Sequence, residues 1–110
     1  MPHKYPNSIT ICGVKYQVAM VDNLQDDEGT YFYGRISHVD LNIEVEANQH
    51  HDVCVQSLLH ETLHGLFHQT GHFDIDEEER IVQMLGCQLP HLLRSNPELV
   101  KLLLGGTDAN

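Results

Sequence analysis

A chain of 110 residues is expected to form one domain, long enough for a modest core. Its net charge of −10, from 16 acidic against 6 basic residues, argues against nucleic-acid binding, which needs a basic surface. No apolar run approaches membrane-spanning length, the N-terminal MPHKYPNS has no signal-peptide core, and three scattered cysteines without a C-x-x-C pair fit a reducing cytoplasm.

Residues 8–21, SITICGVKYQVAMV, read as two short strands around Gly13, the second alternating Val14, Tyr16, Val18 and Met20 with Lys15, Gln17 and Ala19. The acidic DNLQDDEG at 22–29 reads as a solvated loop, because it lacks EF-hand spacing. Residues 32–37 and 40–45 predict a hairpin. Val39, Leu41, Ile43 and Val45 alternate with polar neighbours, Gly34 marks a bulge or close approach, and His38 falls near the turn as a surface polar residue.

A long helix is predicted over about 52–70, with Asn48 or Asp52 as N-cap, His50 and His51 as solvated starting residues, and Gly71 as terminator. One face carries Val55, Leu58, Leu59, Thr62, Leu63, Leu66 and Phe67; the other carries Val53, Ser57, His60, Glu61, His64 and His68. HFDIDEEE at 72–79 links to a second amphipathic helix bearing Ile81, Val82, Leu85, Leu89, Leu92 and Leu93, which Pro90 is expected to kink or break after Leu89. Asn96-Pro97-Glu98 opens a short last helix, capped by Asn96 and ended at Gly105-Gly106, with the final four residues frayed. Strands thus dominate 1–47 and helices 48–104, an α+β domain over 1–110.

Within the long helix lies His60-Glu61-Thr62-Leu63-His64. Residues four apart share a helix face, so both imidazoles can reach one ion while Glu61, at the edge of that face, can hold a water. This is the H-E-x-x-H zinc pattern: two His ligands and a Glu general base. With nine histidines in the chain, a chance match would arise in about one such sequence in twenty, so context must decide.

A catalytic zinc needs a third protein ligand and an open position. The candidates are His68, His72, Glu77, Glu78 and Glu79. The H-E-x-x-H-x-x-G-x-x-H variant fails, because Phe67 and Thr70 occupy its Gly and third His positions. His68 continues the stripe but lies another turn along, too far to share one ion; His72 lies beyond Gly71 and nothing specifies its folding back. The acidic run opens the second helix, and extending the stripe of Val82, Leu85 and Leu89 backward points to Glu78 or Glu79. Acidic residues at a helix N-terminus also have a purely structural use, favouring the helix dipole.

The order of strand hairpins, an H-E-x-x-H helix and a helix opened by acidic residues resembles the small ImmA/IrrE-like zinc metallopeptidases, particularly compact phage and prophage forms. The matching stretches are Tyr33-Gly34-Arg35-Ile36, LLHETLHGLFHQTG and EEERIVQMLGCQLPHLLRSNPEL, little more than a third of the chain. The resemblance implies a minimal zincin-like fold, a small twisted antiparallel sheet beside the active-site helix and a second C-terminal helix. It also implies a third zinc ligand on that second helix, best matched by Glu79 and next by Glu78.

The expected function is a cytoplasmic zinc-dependent peptidase, in a bacterial host if phage-encoded. Zinc on His60, His64 and Glu79 would activate a water, and Glu61 would take its proton and pass it to the leaving amine. Tyr31, Tyr33 and His68 are candidate donors to the transition state. A protein or peptide substrate, by analogy a repressor or another host or phage protein, would add to a sheet edge, with 40–45 the candidate strand. The competing readings are a non-catalytic zinc protein serving regulation or partner binding, and a metal-free interaction module.

Overall fold

The N-terminal alternation forms the hairpin it predicts. In the computed structural model, whose described residues are 4–71 and 74–106, β1 (Ser8–Ile11) and β2 (Val14–Val21) pair antiparallel with Ile11 opposite Val14. Their loop is Cys12 and Gly13 alone, both at positive φ (50° and 82°), the backbone twist that a two-residue hairpin loop needs. The second hairpin, β3 (Gly34–Ser37) and β4 (Asn42–Glu46), sets Gly34 against Val45 and Ile36 against Ile43.

The sheet joining them is mixed, which corrects the expected antiparallel one. β2 runs parallel to β4, from Gln17 opposite Asn42 to Val21 opposite Glu46, and the strand order is β1-β2-β4-β3. Alternation says which side chains a strand buries and leaves its partner and direction open. Residues 22–33 carry the chain to the far edge, so β3 is an edge strand and β4 lies inside the sheet. The acidic loop is held by its own backbone: Asp26 Oδ1 accepts from the N–H groups of Glu28 and Thr30, both at 2.9 Å. Leu24 anchors it, 1% exposed. The Glu46 carboxylate ties this loop to the start of the helical half, accepting from Leu24 N at 2.6 Å, Asn48 N at 2.9 Å and Asn23 N at 3.3 Å.

Helix α1 (His51–Thr70) packs on the sheet, and the core lies between them: Ile11, Tyr16, Ile43 and Val45 meet Cys54 and Leu58. Gly65 lies at a close approach of helix and sheet, where a Cβ would lie 2.6 Å from Ile11 Cδ1 and 3.1 Å from Ile36 Cδ1. The N-cap is His50, neither Asn48 nor Asp52; its Nδ1 accepts from Asp52 N at 3.2 Å. An imidazole nitrogen does here what a Ser or Asp oxygen does elsewhere. His51 is half-buried, and its Nδ1 meets Tyr5 Oη at 2.8 Å.

Helix α2 (Ile75–Ser95) packs on α1 and on α3 (Pro97–Leu103), and among the described residues its backbone does not approach the sheet. α1 is therefore a middle layer. That explains why the predicted division of its faces is incomplete: Ser57, assigned to the polar side, is buried, while Leu66, on the apolar side, is exposed. α2 begins at Ile75, so the acidic run lies in its first turns, capped by Asp74 Oδ1 accepting from Asp76 N and Glu77 N. Pro90 does not break it. The carbonyl that would have bonded to an N–H at 90 belongs to Gly86, whose backbone adjusts readily to the proline ring. Asn96 precedes α3 as expected, but its side chain turns back, Nδ2 donating to Leu92 O at 2.8 Å to close α2. Residue 72, one candidate ligand, and the last four residues, expected to fray, lie outside the described residues.

Candidate metal centre

One helical turn places His60 and His64 side by side on α1, with Nε2 atoms 3.2 Å apart. The first turns of α2 bring Glu79 over both: its Oε1 lies 3.0 Å from His60 Nε2 and its Oε2 3.0 Å from His64 Nε2. One ligand atom from each residue falls within 4.8 Å of the others, a group that can hold a metal ion. Gln83, one turn further along α2, donates Nε2 to Glu79 Oε1 at 3.4 Å.

Glu78 lies on the other side of His64. Its Oε2 is 2.6 Å from His64 Nδ1, and both side chains are largely enclosed, 14% and 12% exposed. A neutral His64 therefore carries its proton on Nδ1 and donates it to Glu78. Its Nε2 is left with a lone pair facing the Glu79 carboxylate and the Nε2 of His60. Burial holds the His60 pKa below its ordinary value, against the pull of Glu79 and with the help of His64. Two imidazole nitrogens and a carboxylate gathered this closely are a donor set able to hold a metal ion. Glu79 is 43% exposed, which leaves the solvent side of the cluster open.

Glu61 sits one residue past His60, on the flank of α1 that faces β3. A Cβ at Gly34 would come 3.3 Å from Glu61 Cγ, 3.5 Å from Ser57 Cβ and 3.2 Å from Glu44 O, a tight fit in which any side chain would press on Glu61 and the neighbouring strand. The enclosure raises the Glu61 pKa to about 7 by burial, with His64 lowering it and Glu79 raising it. A carboxyl poised there exchanges protons readily at neutral pH.

The structure thus gathers His60, His64 and Glu79 and sets Glu61 beside them. Glu78, the alternative third ligand, has its carboxylate on His64 instead, and Glu77 is exposed. Two adjacent carboxylates on one helix leave it about 100° apart, so one can face the cluster while its neighbour reaches behind a histidine. The sequence contained that clue in the Glu78-Glu79 pair. His68 is exposed and stacks face to face on His38, with ring centroids 3.9 Å apart. His38 is half-buried rather than a surface residue, and its Nδ1 lies 3.2 Å from Tyr16 Oη. Only the hairpin turn's position over the end of α1 makes that pairing, which no spacing rule foretells. Tyr31 and Tyr33 line a cavity beside His60 and Glu61. Comparison of the chain with family models, with curated proteins and with solved structures returned no match.

Proposed function

We propose that this chain is a zinc-dependent metallopeptidase of minimal zincin type, related to the ImmA/IrrE-like enzymes. The observation that carries the reading is the convergence of His60 Nε2, His64 Nε2 and the Glu79 carboxylate within 4.8 Å, open on one side. Two imidazoles and a carboxylate are the ligand set of gluzincin-type zinc. A divalent ion bound there supplies Lewis acidity, activating water and polarising a carbonyl.

The chain's own groups do the rest. Glu61, enclosed beside the cluster, accepts a proton from the attacking water and returns it to the leaving amine nitrogen. Glu78 fixes the tautomer and ring angle of His64. The substrate backbone pairs with β3, because the strand first considered for that role, 40–45, is covered on both sides by β2 and β3. Among the described residues no helix is long and apolar enough to cross a membrane, and the reading takes the cytoplasm as its setting.

The test is metal analysis of protein purified without added zinc, followed by a peptide cleavage screen with the wild type and Glu61→Gln. About one zinc per chain is expected in both, with cleavage in the wild type alone. Full cleavage by Glu61→Gln refutes the mechanism. Stoichiometric zinc without cleavage of any peptide supports the non-catalytic alternative instead.

A further inference from the structure

A cavity of about 520 Å³ opens directly beside His60 and Glu61. Its walls are Tyr31 and Tyr33 from the segment entering β3, Val53 and Gln56 from α1, and Gln83 and Cys87 from α2. A second hollow of about 400 Å³ shares Gln56, Gly86 and Cys87 and continues along the seam between the two helices toward Pro90. The two form one groove, and Gly86 lies where they join.

Gly86, whose backbone accommodates the Pro90 ring, also lies on the wall of this groove. A glycine inside a helix costs about 1 kcal/mol relative to alanine, and close packing by a neighbour is the usual reason to keep one. Here a Cβ would meet nothing within 4 Å, although the residue is buried. A side chain at 86 would instead project into the groove and shorten it. Among the described residues the ionisable groups on the larger cavity are two tyrosines, Cys87, His60 and Glu61, while Asp52, His91 and Arg94 line the second hollow. In the larger cavity an acidic side chain would lie against the Glu61 carboxyl, whereas an aromatic or long aliphatic one would lie against Tyr31, Tyr33 and Val53.

We infer that this groove receives a bulky uncharged side chain of the peptide substrate next to the bond that is cut, and that Gly86 sets its depth. The inference rests on the metallopeptidase reading, since the cavity's position beside His60 and Glu61 is what makes its occupant part of a substrate.

The probes are peptide hydroxamates bearing a Phe, a Gly or an Asp side chain, titrated calorimetrically into zinc-loaded full-length protein. The Phe probe should bind at least about tenfold more tightly than the Gly probe, and the Asp probe more weakly than either. Gly86→Leu should erase the Phe advantage and Gly86→Ala should reduce it, with Tm and helix content measured for each variant to show that α2 still passes through Pro90. Tyr33→Ala, at an exposed site outside the helices, should reduce the advantage independently. Equal affinity of the Phe and Gly probes, or a Phe advantage untouched by Gly86→Leu and Tyr33→Ala, overturns the inference and leaves the peptidase reading standing. If the chain takes no zinc, or binds none of the three hydroxamates, the metal-based reading fails and this inference falls with it.

Discussion

Replacing Glu78 by alanine removes the acceptor 2.6 Å from His64 Nδ1 without touching any of the three atoms that face the metal position. The imidazole would then be free to rotate and to carry its proton on Nε2, where it blocks a ligand lone pair. Losses of about 10–100-fold in metal affinity follow from removing such a partner, or roughly 1.4–2.8 kcal/mol. The upper end is expected here, because both side chains are largely enclosed and water cannot easily replace the carboxylate. Glu78→Gln should fall between wild type and alanine, since its carbonyl can still accept from Nδ1 but brings no charge. Glu79→Ala removes a ligand outright and should cost more than Glu78→Ala. Zinc affinity measured by chelator competition across the three variants gives the order directly. If Glu78→Ala proves more damaging than Glu79→Ala, the assignment of the two carboxylates is reversed and the reasoning from His64's tautomer fails.

Two further outcomes follow from the same packing. Glu46 has its pKa lowered by the backbone N–H groups of Asn48 and Leu24, opposed in part by burial and helped further by the N–H of Asn23. A depressed carboxylate stabilises the fold above its unfolded value near 4.5, and the contribution is lost as pH falls through the lower folded value. Glu46→Gln should therefore lower Tm at neutral pH, with the gap to wild type closing in acid; a gap that persists unchanged in acid would refute this account. Gly34→Val should disturb Glu61 and the β3 edge more than the ligands, reducing cleavage by about 10–100-fold while zinc affinity changes little. Equal losses of both would mean that Gly34 serves the fold rather than the position of Glu61.

The elements were more legible than their arrangement. Val14, Tyr16 and Val18 announce a half-buried strand, and Gly13 announces its turn, because these signals are local. That β2 lies parallel to β4 is decided by the route of residues 22–33 and leaves no trace in the alternation of either strand. In α1 the histidine spacing was plain, yet Ser57 and Glu61 were assigned to an open polar face. They are polar and nevertheless covered, because the helix is flanked by a sheet on one side and by α2 on the other. The His50 cap escapes the sequence because histidine is not among the usual capping residues; of the kink or break expected at Pro90, the break does not occur, the glycine four residues earlier easing the proline into the helix. Choosing between Glu78 and Glu79 needs the angle at which the two helices cross, which spacing does not contain.

The three residues that face one another across the metal position are not on one element. Two belong to α1, and the third belongs to a helix whose backbone packs on α1 and α3 but not on the sheet. An ion bound there would act as a clasp across the helix seam, closing the chain between His64 and Glu79 and holding down the start of α2. Gln83, Gly86 and Cys87, on the following turns of α2, form one wall of the groove beside Glu61. Losing the ion would loosen the third ligand, the partner of His64 and that wall together. Occupancy by metal and the shape offered to a substrate would then be two readings of one equilibrium, and a chelator would act as a solvent for the groove as much as a poison for the chemistry.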